Sequence, residues 1–203
     1  DYIMAKFVRQ ILFLASIIVI SSLSLNSQVR IQNRTTATLK EAFDLINSGT
    51  VTGDIEIKID SNIVETERAV LLGPGTGNAN YTSVVIYPTA VCSITGSVPT
   101  ALIELRDADN VTIDGRINRF YDENALTIYN AQTANSVVIW LTKPATSGNG
   151  ARNNTIRNCN IRGNAPGATN VYGIHSGSAA ALPTGIAGND SLNVLNNTFA
   201  GLG

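Results

Sequence analysis

Two stretches near the end of the chain say the same thing. "TIRNCNIRG" (155–163) aligns with "NVLNNTFAG" (193–201), both closing on apolar-x-Gly, and "NVTI" (110–113) matches "NNTI" (153–156) at three positions of four. A short recurring pattern restricts the fold strongly, because one copy is too small to bury its own apolar face and must stack on the next. The apolar anchors Ile113, Val138, Ile156, Ile174 and Val194 stand 25, 18, 18 and 20 residues apart, intervals that fit one coil of a β-solenoid. In such a coil each strand bonds to the coils above and below at about 4.8 Å, so equivalent side chains lie on one another. Isoleucine on isoleucine then fills the interior, while asparagine at a bend bonds to backbone and to the asparagine of the next coil. Asparagine also tolerates the left-handed backbone that bends require. Asn153, Asn154, Asn158, Asn196 and Asn197 are therefore read as corner residues, with Ile156 and Ile161 inward, Cys159 joining the core, and Arg157 and Arg162 facing water.

The rest of the chain supports an all-β reading with one exception. "TLKEAFDLINSG" is a short helix: Thr38 caps it with Glu41 three positions on, Leu39, Ala42, Phe43 and Ile46 share a face, and Gly49 stops it. From Thr50 onward helix signals vanish. "GDIEIKID" alternates Ile55, Ile57 and Ile59 with charged residues. Further strands are predicted at "YTSVVIYP", "ALIELRD", "NVTIDG", "ALTIYN", "SVVIWLTK", "NTIRNCNI", "VYGIHSG" and "LNVLNNTF", separated by Gly, Asn, Asp and Pro.

Residues 1–27 read as a signal peptide with an upstream extension. Lys6 and Arg9 precede the apolar run Ile11–Ile20, small polar residues follow, and cleavage is placed after Ser27. Asp1, Tyr2 and Ile3 stand before Met4, the natural start of that leader, and the chain stops within its repeat, so an N-terminal fragment of something longer is expected. An uncleaved anchor is the alternative, since residues 10–29 carry no charge, but the ten-residue apolar core is short for a bilayer span, and no stable membrane span is expected after cleavage. Secretion or cell-surface display follows. The organisation read from the sequence is leader (1–27), linker and capping helix (28–50), and β-helix coils (51–203).

The strings "NNTIRNCNIRG", "LNVLNNTFAG" and "DADNVTIDGRI" resemble the coils of right-handed parallel β-helix proteins of the pectate-lyase-like superfamily. The N-terminal part, from "TLKEAFDLINSGTVTGDIEIKID" to "LIELRDADNVTIDG", looks like the start of large surface proteins of Bacteroidetes-type bacteria exported by type IX secretion. That resemblance implies a helix covering the open end of the first coil. It leaves activity undecided, since such repeats serve lyases, hydrolases, adhesins and inert shafts.

Chemistry is sparse. A net charge of -1 and a pI near 5.8 provide no field for a nucleic-acid backbone. The dense acidic stretch "ELRDADNVTIDGRINRFYDE" contains the candidate catalytic carboxylates Asp107, Asp109 and Asp114, along with Glu104, Asp122 and Glu123, but the pattern is also that of turn formers and solvated charges. No metal-ligand spacing surrounds Cys92, Cys159 or the single His175. The superfamily admits calcium, yet nothing in the residues asks for it, and no cofactor is expected. Trp140, Tyr129 and Tyr172 are the candidate ligand-binding aromatics, Trp140 because it breaks the alternation of "VVIWLTK". The sequence thus points to a secreted or cell-surface β-helix module, a non-enzymatic shaft or adhesin-like element touching extracellular glycan or another surface component. The alternative is a polysaccharide lyase or glycoside hydrolase whose catalytic coils lie beyond Gly203, and a third is a stalk that only presents a distal domain.

Overall fold

The structure, a computed structural model, describes residues 28–121, 123–144, 149–167, 169–178 and 188–203. The leader read at 1–27 and Asp122 lie outside the described residues.

The chain is a β-solenoid of about four turns. A hairpin of β1 (Val29–Ile31) and β2 (Arg34–Thr36) precedes helix α1 (Leu39–Asn47). Coil 1 follows as β3 (Gly53–Ile59), β4 (Ile63–Glu65) and β5 (Ala69–Leu72), and coil 2 as β6 (Tyr81–Pro88), β7 (Cys92–Gly96) and β8 (Thr100–Arg106). Coil 3 comprises β9 (Val111–Asp114), β10 (Leu126–Asn130) and β11 (Ser136–Lys143). Coil 4 comprises β12 (Thr155–Arg157), β13 (Cys159–Arg162) and β14 (Val171–Ser178), and β15 (Asn193–Leu195) and β16 (Thr198–Ala200) begin a fifth. The first, second and third strands of successive coils build sheets A, B and C.

The core is a set of vertical stacks. Ile57, Ile86, Ile113, Ile156 and Val194 lie in register through sheet A. Ile63, Ile94, Ile128, Ile161 and Phe199 do so through sheet B, and Ala69, Ile103, Ile139 and Ile174 through sheet C. The stacked isoleucines of coils 1 to 3, with Ile156 and Ile161, are fully buried, each burial contributing about 1.5–3 kcal/mol against an exposed side chain.

Both sequence alignments hold position by position: Ile113 pairs with Ile156, Thr155 with Asn193, and Arg162 with Ala200. The coil length inferred from them does not hold. Register steps along sheet A are 29, 27, 43 and 38 residues, not the expected 18 to 25. The shorter spacing arose because Val138 and Ile174 belong to sheet C, so each interval crossed from one sheet to another. Loops outside the core change the residue count of a coil without disturbing strand register. Residues 29–36, read as linker, form the hairpin, whose β1 pairs antiparallel with β3 and occupies its outer edge.

Helix α1 forms as its sequence dictates. Thr38 accepts from the Glu41 amide at 3.1 Å, and Glu41 accepts from the Ala37 amide at 2.8 Å. Leu39, Ala42, Phe43 and Ile46 are completely buried. Its N-terminal amides are met by a buried carboxylate from coil 1: Glu65 accepts from Leu39 N at 2.7 Å and Lys40 N at 3.3 Å.

The corners are asparagine work. Asn153, Asn158 and Asn196 are left-handed, with φ of 55°, 53° and 54°. The last two split "NTIRNCNI" and "LNVLNNTF" into two strands each. Asn154 and Asn197 are clamps on the preceding coil rather than members of an amide ladder. Asn154 accepts from Val111 N and donates to Ala108 O, both at 2.8 Å, while Asn197 accepts from Cys159 N at 2.9 Å and donates to Ile156 O at 2.8 Å. Gly115 serves another need at the corner after β9, where a Cβ would stand 1.9 Å from the Asn158 carbonyl. Cys92 and Cys159 are both free and buried, and both align with Leu126, so a whole strand separates them.

Candidate functional site

The carboxylates singled out in the sequence occupy two separate corners. Asp107 and Asp109 lie together between β8 and β9, where Asp107 accepts from Gly150 N at 2.5 Å and Asp109 from Arg152 N at 2.7 Å. Each therefore satisfies a backbone amide of the equivalent corner one coil on. Burial pushes the Asp109 carboxyl above its usual range, against the Arg152 amide and charge that favour ionisation.

Asp114 stands at the far end of β9, completely buried between two guanidiniums, with Arg116 Nε at 2.9 Å and Arg157 Nη2 at 2.7 Å. Burial drives its carboxyl up, but Arg116, through side chain and backbone amide, and the Arg157 charge outweigh that and hold it below the ordinary value. Glu104 is similarly enclosed, by Arg68, Arg106 and the Thr142 hydroxyl.

The three candidate aromatics also divide. Trp140 and Tyr172 meet on the outer face of sheet C, where Trp140 is only 2% exposed and packs with Ala101, Val137 and Tyr172. His175 joins them, its ring centroid 6.1 Å from Trp140 and 5.4 Å from Tyr172. Burial pushes the imidazole pKa down. Trp140 thus presents no open face for stacking.

Tyr129 is placed differently. Sheet B strands alternate around their inward stack, so the residues on either side of each buried side chain point outward. Those flanks are Ser93 and Thr95 in coil 2, Thr127 and Tyr129 in coil 3, Asn160 and Arg162 in coil 4, and Thr198 and Ala200 in coil 5. They form two rows running across the coils, and the rows border a recess of about 500 Å³ that Gly163, Asn164 and Gly201 complete. A second recess of about 320 Å³ shares Thr127 and Arg162 and adds Asn160, Thr198 and Ala200, extending the groove toward coil 5.

Most of the lining is already engaged. Ser93 donates to Asn62 at 3.0 Å, Thr95 to the Ile63 carbonyl at 3.2 Å, and Asn164 to the Ala131 carbonyl at 3.0 Å. The side chains of Thr127, Tyr129 and Arg162, neighbours in register at the centre, have no hydrogen bond or ion pair among the described residues. The groove therefore offers a hydroxyl, a phenol with a ring face and a guanidinium, with no carboxylate in its lining.

Searches against protein-family models, curated proteins and solved structures found no match. The sequence alone places Arg162 facing water and gives Thr127 no signal of its own. Their signal was the alternation around Ile128 and Ile161, which becomes informative once the register places both flanks in one groove. Among the described residues no three His, Cys, Asp or Glu side chains are grouped to hold a metal ion.

Proposed function

We propose that this chain is a secreted or cell-surface parallel β-helix shaft of the right-handed, pectate-lyase-like kind, whose sheet B groove binds extracellular glycan without turning it over. The single observation that carries the reading is the open groove centred on Tyr129, Thr127 and Arg162, whose polar groups have no partners among the described residues. Ligand sites combine a ring or apolar wall with a few polar groups that fix orientation, and a sugar ring presents C–H to an aromatic face and hydroxyls to its surroundings. The rows repeat at one strand spacing, about 4.8 Å, which suits a linear polymer laid across successive coils. Export rests on the basic and apolar residues of the leader.

The non-enzymatic part of the proposal is supported by the carboxylates. Asp107 and Asp109 each hold a backbone amide, and Asp114 is enclosed by two arginines. Release of reducing or unsaturated sugars from polysaccharide by the protein, lost on Asp107→Asn or Asp109→Asn, would contradict it. Glycan-array binding by the whole chain tests the site: the expected result is retention of one class of linear glycan that disappears with Tyr129→Ala. Retention indifferent to that change would reject the groove.

A further inference from the structure

We infer that the Asn149-Gly150 pair is a self-modification site, and that Asp107 holds it closed by binding the amide that would attack. It is the one Asn-Gly pair in the chain. Such a pair carries its own reaction. The Gly150 nitrogen adds to Cγ of Asn149, its proton passes to the departing amide nitrogen, ammonia leaves, and a five-membered succinimide remains. Water then opens the ring to aspartate or to isoaspartate, whose main chain is one carbon longer. Glycine favours the step because no side chain shields its nitrogen.

The corner between β11 and β12 requires that glycine and occupies its nitrogen. Gly150 has φ of +87°, and a Cβ there would stand 2.1 Å from the Gly188 carbonyl oxygen. Its N–H donates to the Asp107 carboxylate of the preceding corner at 2.5 Å. The next two amides are held in the same way, Ala151 N by Asn189 at 2.8 Å and Arg152 N by Asp109 at 2.7 Å. Asn149 itself is exposed to water. Its neighbour's nitrogen cannot turn toward Cγ without leaving the carboxylate. The isoaspartate product does not fit the closed corner, because a Cβ on Gly188 would already stand 2.7 Å from the Asn149 carbonyl oxygen. Opening of the corner is thereby recorded as an irreversible chemical mark.

The test incubates the full chain at pH 8 and follows conversion of the Asn149 amide to acid by peptide mass spectrometry. Folded wild type should convert about tenfold more slowly than the same chain held in urea, the factor set by breaking a hydrogen bond to a charged group before attack. Asp107→Gly removes the carboxylate at a position whose φ of 56° suits glycine. While still folded by circular dichroism, it should convert at close to the rate in urea. Asp107→Asn, which keeps a neutral acceptor, should fall between the two, and it decides the matter if the glycine variant does not fold. Asp54→Asn, on the outer face of sheet A, should stay as slow as wild type. Equal conversion of folded and urea-held wild type would overturn the inference, as would acceleration in Asp54→Asn. Folded Asp107 variants no faster than wild type would overturn it too, by showing that packing alone protects. A slower rate in them would do so by showing that the carboxylate acts as the base.

Discussion

Tyr129 and Arg162 face each other in register on adjacent parallel strands, each placed outward by the buried isoleucine that precedes it. That relationship is a product of the solenoid. Residues 33 positions apart share one groove because Ile128 and Ile161 share one stack.

The clamp formed by Asn154 makes the first expectation. Its amide satisfies a buried N–H and a carbonyl of the preceding coil, so Asn154→Ala orphans both groups. A loss of about 2–4 kcal/mol in unfolding free energy is expected from two such groups, read by urea denaturation. A loss below 1 kcal/mol would show that the backbone finds other partners.

A second expectation separates close approach from backbone strain. Gly115→Ala drives a methyl into the Asn158 carbonyl, whereas Gly75, with φ of +87°, has open space around it. Gly115→Ala should displace coil 3 from coil 4 and unfold at markedly lower denaturant, while Gly75→Ala should cost only about 1 kcal/mol. Equal effects would contradict the packing at the Gly115 corner.

The cysteines give a third. Burial raises the Cys92 thiol to about 11 and the Cys159 thiol to about 12. Neither should react with a disulfide reagent at pH 8 in the native protein, and two thiols should titrate after denaturation. One or no thiol in the denatured, unreduced chain would contradict the strand separation.

The fourth uses the only tryptophan to watch the only histidine. His175 lies 6.1 Å from Trp140, and burial depresses its pKa. Protonation should quench the indole with a midpoint below the ordinary value of about 6.5, and His175→Gln should remove the transition. Because the folded pKa is the lower one, the unfolded chain binds the proton more readily, so stability falls as pH drops below about 6.5. A midpoint above that value would contradict the burial of the ring.

Much of the fold was legible because its determinants are local and repeated. Asn153, Asn158 and Asn196 are left-handed corners, as the composition of their stretches requires, and Ile156 and Ile161 point inward. Coil length was not legible, since the register step along sheet A changes from 27 to 43 residues while the strands stay aligned. Strands β4, β5 and β7 are short and flanked by charged or small residues, so alternation alone did not reveal them. For the site, Tyr129 was visible as an aromatic on a strand, but its difference from Trp140 depends on which outer face is open. That follows from the assembled sheets and not from either residue's neighbours in sequence.

The most direct measurement is an equilibrium titration of the whole chain with the glycan that the array retains, comparing wild type, Tyr129→Ala and Trp140→Phe. Tyr129→Ala should weaken binding about tenfold, the cost of removing a central interface aromatic, with an unchanged unfolding midpoint. Trp140→Phe, at a buried position away from the groove, should bind as wild type. Full affinity in Tyr129→Ala, or a loss confined to Trp140→Phe, would contradict the sheet B groove as the binding site.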